Sequence, residues 1–137
     1  LGLNLRLASP EGFALSDATL AAARQVARHG AEVVQYQDPV EAVRGADAVY
    51  ADVWTSMGQE TDATRRRAAF QGFRVTRALM AKANDDAFFM HCLPAHRGEE
   101  VEEEVLEGPR SVVFDQAENR LHTQKALLLM MLEGVGI

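Results

Sequence analysis

The chain has 137 residues, 47% of them hydrophobic and 25% charged, as expected of one soluble globular domain burying roughly two thirds of its unfolded surface. A formal net charge of -6 argues against nucleic acid, and no apolar run approaches the ~20 residues of a membrane span. One cysteine forms no internal disulfide, so nothing points to an oxidising compartment and a cytoplasmic location is the default.

The elements follow in order. Leu3, Leu5 and Leu7 alternate with Asn4 and Arg6, a strand pattern ended by the turn Ser9-Pro10-Glu11-Gly12. Ser16 or Asp17 then caps a helix through Leu20, Ala23, Val26 and Ala27 to about His29, with Gly30 suited to the left-handed end. Residues 32–36 read as a second strand, and Asp38-Pro39 opens a brief helix that stops at Gly45. Residues 46–54 read as a buried third strand, 61–70 and 76–83 as helices joined around Gln71-Gly72. Residues 87–90 and 111–114 supply a fourth and a fifth strand, with a Glu-rich helix at 99–106 between them. The last helix, 118–132, is apolar around more of its circumference than one sheet face requires. The fold class is therefore α/β, a mostly parallel sheet of about five strands with helices on both faces.

In such sheets ligands bind outside the carboxyl ends of the strands. Three predicted strand ends carry informative residues: Asp52, the segment His91-Cys92-Leu93-Pro94, and residues 115–120. Asp52 closes an apolar run; by itself it reads as a cap for the loop that follows, and with Ser56, Met57 and Gly58 behind it as a site for a cationic amine. Ser56, Met57 and Gly58 suit a loop closing on a ligand, since they combine a hydroxyl, a flexible apolar chain and a permissive backbone. His91 beside Cys92 raises a thiolate–imidazole pair, but neighbours on a strand point to opposite sides, so His91 is poorly placed to activate Cys92. Read alone, Cys92 is as consistent with a structural cysteine. Arg120 falls at the start of the predicted final helix, where a cation needs a reason such as a phosphate or carbonyl oxygen, or a salt bridge to Asp115 or Glu118. Arg65-Arg66-Arg67 reads as a solvated helix face. One Cys and four scattered His show no metal-ligand spacing, and no Gly-rich phosphate loop is present.

The succession Asp-Val-Trp-Thr-Ser-Met-Gly-Gln-Glu (52–60), Phe70-Gln71-Gly72-Phe73, His-Cys-Leu-Pro (91–94) and 114–120 resembles the second half of ornithine carbamoyltransferases across essentially the whole chain. That resemblance implies transfer of a carbamoyl group from carbamoyl phosphate to the side-chain amine of ornithine, giving citrulline and phosphate, with no metal and no organic cofactor. It casts Cys92 as catalytic, Asp52, Ser56 and Met57 as ornithine contacts, and Cys92, Leu93 and Arg120 as contacts to carbamoyl phosphate. It also implies a cis Leu93-Pro94 bond and a homo-oligomer, a trimer or a multiple of one. The family's Ser-x-Arg-Thr and His-Pro-x-Gln segments do not occur here. The expectation is thus an ornithine-binding domain spanning 1–137, incomplete at its N-terminus and inactive alone, whose final helix packs on a missing domain. Competing readings are a carbamoyltransferase for putrescine or acetylornithine, a non-catalytic amino-acid-binding module, and a purely structural or oligomerising domain.

Overall fold

Alternating leucines make the first strand, β1 (Leu5–Ala8), which pairs in parallel with β2 (Val33–Tyr36), Leu5 lying opposite Val33. The computed structural model from which this architecture is read describes residues 2–56, 58 and 60–134. Between the two strands runs α1 (Asp17–Val26), capped as expected by Ser16, whose hydroxyl accepts the Thr19 N–H at 3.2 Å. α1 stops short of His29 because Ala27 turns extended, and both His29 and Gly30 take left-handed backbone angles. Arg24, in its last turn, donates Nε–H to the Val33 carbonyl at 2.9 Å and ties the helix to β2.

Asp38 accepts the Val40 N–H at 2.8 Å and opens α2 (Pro39–Val43), whose first-turn proline has no N–H to leave unpaired. β3 (Ala48–Ala51) and β4 (Phe88–His91) form a second parallel pair, with Ala51 opposite His91. A 3-10 turn (Glu60–Asp62), α3 (Ala63–Phe70), a second 3-10 turn (Gln71–Phe73) and α4 (Arg77–Met80) connect them. The expected buried strand over 46–54 is both shorter and more open. It ends at Ala51, since the Asp52 carboxylate accepts the Val53 N–H at 2.7 Å and turns the chain out of the sheet, and Tyr50 stays 54% exposed.

Two more expectations need correcting. The Glu-rich helix shrinks to α5 (Glu103–Leu106) because residues before it are used in extended pairing. The Val75 N–H donates to the Glu100 carbonyl at 2.8 Å and the Glu102 N–H to the Val75 carbonyl at 3.0 Å. The fifth strand is reduced to one parallel bridge between Ser111 and Phe89. Val112 and Val113 carry a strand signal, yet the Gln116 N–H bonds the Val112 carbonyl at 2.8 Å and starts α6 (Val113–Leu132) there, with Val113 fully buried. The final helix therefore begins five residues before the expected 118.

The α/β class with parallel pairing holds, with four strands in two pairs among the described residues. Val49 and Ala51 point into a core of Val75, Met80, Phe89, Val101, Val105, Leu106 and Val113. The opposite face of β3, with Ala48 and Tyr50, is open to solvent. α6 is exposed from Ala117 onward, including Leu121, Leu128 and Leu132. Among the described residues no helix is long and apolar enough to cross a membrane.

Candidate functional site

Register assembles the site. Because Ala51 lies opposite His91 on parallel strands, the residues that follow, Asp52 and Cys92, leave the sheet side by side. Strand alternation puts Tyr50, Asp52 and Cys92 on one face, and Val49, Ala51, Phe89 and His91 on the core face. The Cys92 thiol donates from Sγ to Asp52 Oδ1 at 3.1 Å. The Tyr50 side chain stands on the same face, near enough to the thiol and to Gln116 of α6 for both to influence its hydroxyl.

Burial pushes the Cys92 thiol up from its ordinary value, and its bond to the Asp52 carboxylate adds to the rise. The Tyr50 hydroxyl is raised too, by desolvation first and then by the nearby Cys92 thiol. Cys92 therefore sits here as a neutral thiol, a poor nucleophile but a good hydrogen-bonding surface for an amine. The sign is testable. Asp52→Asn removes a negative charge that opposes the thiolate, so the pH midpoint for alkylation of Cys92 by iodoacetamide falls below that of the unsubstituted protein. An unchanged or higher midpoint would show that Asp52 does not govern the thiol.

His91 turns the other way and is 1% exposed. Its Nδ1 accepts the Leu93 N–H at 2.9 Å, its Nε2 lies 3.3 Å from Glu100 Oε1, and its own N–H donates to Gln116 Oε1 at 3.0 Å. Nδ1 is thus bonded, and Nε2 faces Glu100, both away from Cys92, as strand alternation requires. Leu93 is half-buried with φ 55°, and the Leu93-Pro94 bond is cis.

The segment after Asp52 is held from below. Trp54, buried, stacks on Phe70 with centroids 6.1 Å apart, and Phe70 meets Phe13 and Phe73 edge-on at 5.0 and 5.8 Å. Arg66 donates Nη1–H to the Trp54 carbonyl at 3.2 Å while its guanidinium lies over the Phe13 ring. The basic run is accordingly not one solvated face. Arg66 is mostly covered and anchors this segment, whereas Arg65 is exposed and Arg67 pairs with Glu99 at 3.0 Å. Ser56 lies exposed beyond the anchor, and Gly58 takes a left-handed φ of 86°. Met57 lies outside the described residues.

Arg120 stands differently from the expectation. It is the eighth residue of α6, beyond the first turn, so the helix-terminus argument for it fails. It is exposed and, among the described residues, makes no ion pair or hydrogen bond with Asp115 or Glu118. It follows Gln116 by four residues, on the helix face that reaches the ends of β3 and β4.

His96, Glu99 and Glu100 bring potential metal-ligand atoms within 4.8 Å of one another. Glu99 is already paired with Arg67, and Glu100 Oε1 accepts the His96 N–H at 2.5 Å, so these carboxylates serve the fold. Sequence reasoning missed Tyr50 and Gln116. Tyr50 was readable, two residues before Asp52 on one strand; Gln116 was not, because the helix was placed too late.

The chain is 54% identical over 132 residues to an ornithine carbamoyltransferase of Symbiobacterium thermophilum, covering 96% of this chain and 43% of that protein. It is 53% identical over 136 residues to another from Acidothermus cellulolyticus, covering 98% and 44%. The solved structure of ornithine carbamoyltransferase from Pyrococcus furiosus superposes with a TM-score of 0.89 at 47% identity, covering 99% of this chain and 44% of that one. The chain thus spans less than half the length of the relatives it matches. The family model for the Asp/Orn binding domain of aspartate/ornithine carbamoyltransferases matches residues 1–131, and by that match the chain belongs to this carbamoyltransferase family.

Proposed function

We propose that the chain supplies the ornithine-binding half of an ornithine carbamoyltransferase. The observation that carries this is the Asp52–Cys92 pair, a carboxylate and a neutral thiol 3.1 Å apart at the ends of adjacent parallel strands. The two groups suit the two amines of ornithine. A carboxylate favours the charged form of an ammonium beside it, so Asp52 fits the amine that stays cationic. The attacking side-chain amine must be neutral, and a thiol orients it without stabilising its protonated form. Ser56 and Met57 contact the remainder of the amino acid.

Arg120, with backbone groups at Cys92 and Leu93, polarises the carbamoyl oxygen as negative charge develops there. The C–N bond to the amine forms, the C–O bond to phosphate breaks, and the amine proton passes to the departing phosphate; no metal or organic cofactor enters. The rest of the carbamoyl phosphate site belongs to sequence outside this chain. The exposed leucines of α6 pack on that remainder or on a neighbouring subunit of a homo-oligomer, in the cytoplasm. The chain alone is inactive.

The test uses the intact protein carrying this chain, with carbamoyl phosphate and ornithine, acetylornithine or putrescine as acceptor. Citrulline formation with ornithine far exceeds transfer to the other two. Preference for either of those overturns the substrate, and no transfer to any of them overturns the reading.

A further inference from the structure

Beside β4 the backbone ladder ends on a side chain. The Phe89 N–H donates to the Arg110 carbonyl at 2.8 Å, and the Val112 N–H to the Phe89 carbonyl at 3.0 Å. The next N–H on that side of β4 belongs to His91, and a continuing parallel ladder would offer it the Val112 carbonyl. That carbonyl is taken, because the Gln116 N–H donates to it at 2.8 Å and starts α6. The Gln116 side chain fills the place instead, its Oε1 accepting the His91 N–H at 3.0 Å. His91 is 1% exposed, so without this acceptor its N–H would be buried and unpaired.

The residue after His91 is Cys92, so this bond ties the first turn of α6 to the strand end that carries the thiol. Beyond it the helix has no other hold on the sheet. Val113 is fully buried and Gln116 partly so, whereas residues 117–134 are exposed. Among the described residues, no side chain of α6 past Gln116 bonds to another element; Glu118 with His122 and Asn119 with Thr123 bond within the helix. Arg120 lies four residues after Gln116, hence on the same face one turn further on.

We propose that Gln116 is a positioning residue for Arg120: by completing the β4 ladder, its side chain sets the rotation of α6 that holds the guanidinium beside the Cys92–Leu93 turn. This rests on the reading above, in which Arg120 polarises the carbamoyl oxygen there. Val113 alone fixes one point of the helix, and a second contact three residues on fixes its rotation. Reacting groups tolerate little error, since a displacement of about 1 Å can cost about a hundredfold in rate.

The experiment uses the intact protein in a cycle of Gln116→Met, Arg120→Ala and the double variant. Methionine keeps the length of the side chain and offers only a weak acceptor. In Q116M the His91 amide loses its protection against hydrogen exchange. Turnover with ornithine falls by about tenfold or more while KM for ornithine changes less, as expected when a reacting group is misplaced. In the R120A background Q116M costs less than about twofold, because no guanidinium is left to misplace. A Gln116 that only holds the fold lowers the melting temperature, and its loss of turnover multiplies with that of R120A. Retained His91 protection, retained turnover in Q116M or multiplying losses each overturn the proposal, as does full activity of R120A. Should Q116M not fold, Gln116→Asn, whose amide falls one methylene short, takes its place in the cycle and the same outcomes decide. If the intact protein transfers nothing to ornithine, the functional reading fails and takes the proposal with it. If it does transfer and the losses multiply, the proposal alone fails.

Discussion

Asp52→Asn in the intact protein lowers kcat/KM for ornithine by about two orders of magnitude, because neutralising one partner of a charge pair that the bound substrate covers costs about 3 kcal/mol. The amide keeps the shape of the carboxylate and its acceptor toward the Cys92 thiol and the Val53 N–H, two bonds made at 3.1 and 2.7 Å. What it loses is the charge. The strands should be undisturbed, since Asp52 is exposed and lies beyond the last paired residue, Ala51. Unchanged steady-state kinetics, with an unchanged melting curve, would remove Asp52 from the site.

Phe89→Ala has the largest expected effect on stability, a loss of about 3–5 kcal/mol from the lost burial and the cavity left behind. Phe89 has no exposed surface, and its backbone bonds Arg110 and Val112 on either side at 2.8 and 3.0 Å. Its ring contributes to the cluster that also contains Val101, Leu106 and Val113, and lies 6.4 Å from the His91 ring. The cavity therefore loosens the entry to α6 and the wall behind His91 together. A urea titration of the intact protein shows a lowered midpoint for the transition of this domain; a loss below about 1 kcal/mol would mean that the site collapses around the gap.

Much of this was legible from local chemistry. Asp38-Pro39 and Ser16 announced their helices because a cap is a contact between near neighbours. Cys92 and Asp52 were flagged as strand-end residues, and only the register of β3 against β4 makes them partners. The misread elements share one cause, which is pairing with distant chain. Glu99 and Glu100 look helical but lie in a turn before Val101, which bridges to Val75, and Val113 looks like a strand residue but is taken into α6, buried in the cluster with Phe89. Arg66 looked solvated because its neighbours are charged, and what holds it, the Trp54 carbonyl, lies twelve residues away. Glu100 gave no signal at all, since a Glu after a Glu reads as surface, and only burial beside His91 separates it from Glu99.

The central claim is that Asp52 binds the amine that stays cationic while Cys92 faces the amine that reacts. The direct test compares ornithine with 5-aminopentanoate, which keeps the reactive amine and lacks the other, in the intact protein and in Asp52→Asn. The account predicts that the unsubstituted protein prefers ornithine by about a hundredfold or more in kcat/KM, and that Asp52→Asn erases most of that preference. A preference that survives the substitution undiminished would place the second amine elsewhere and contradict the account.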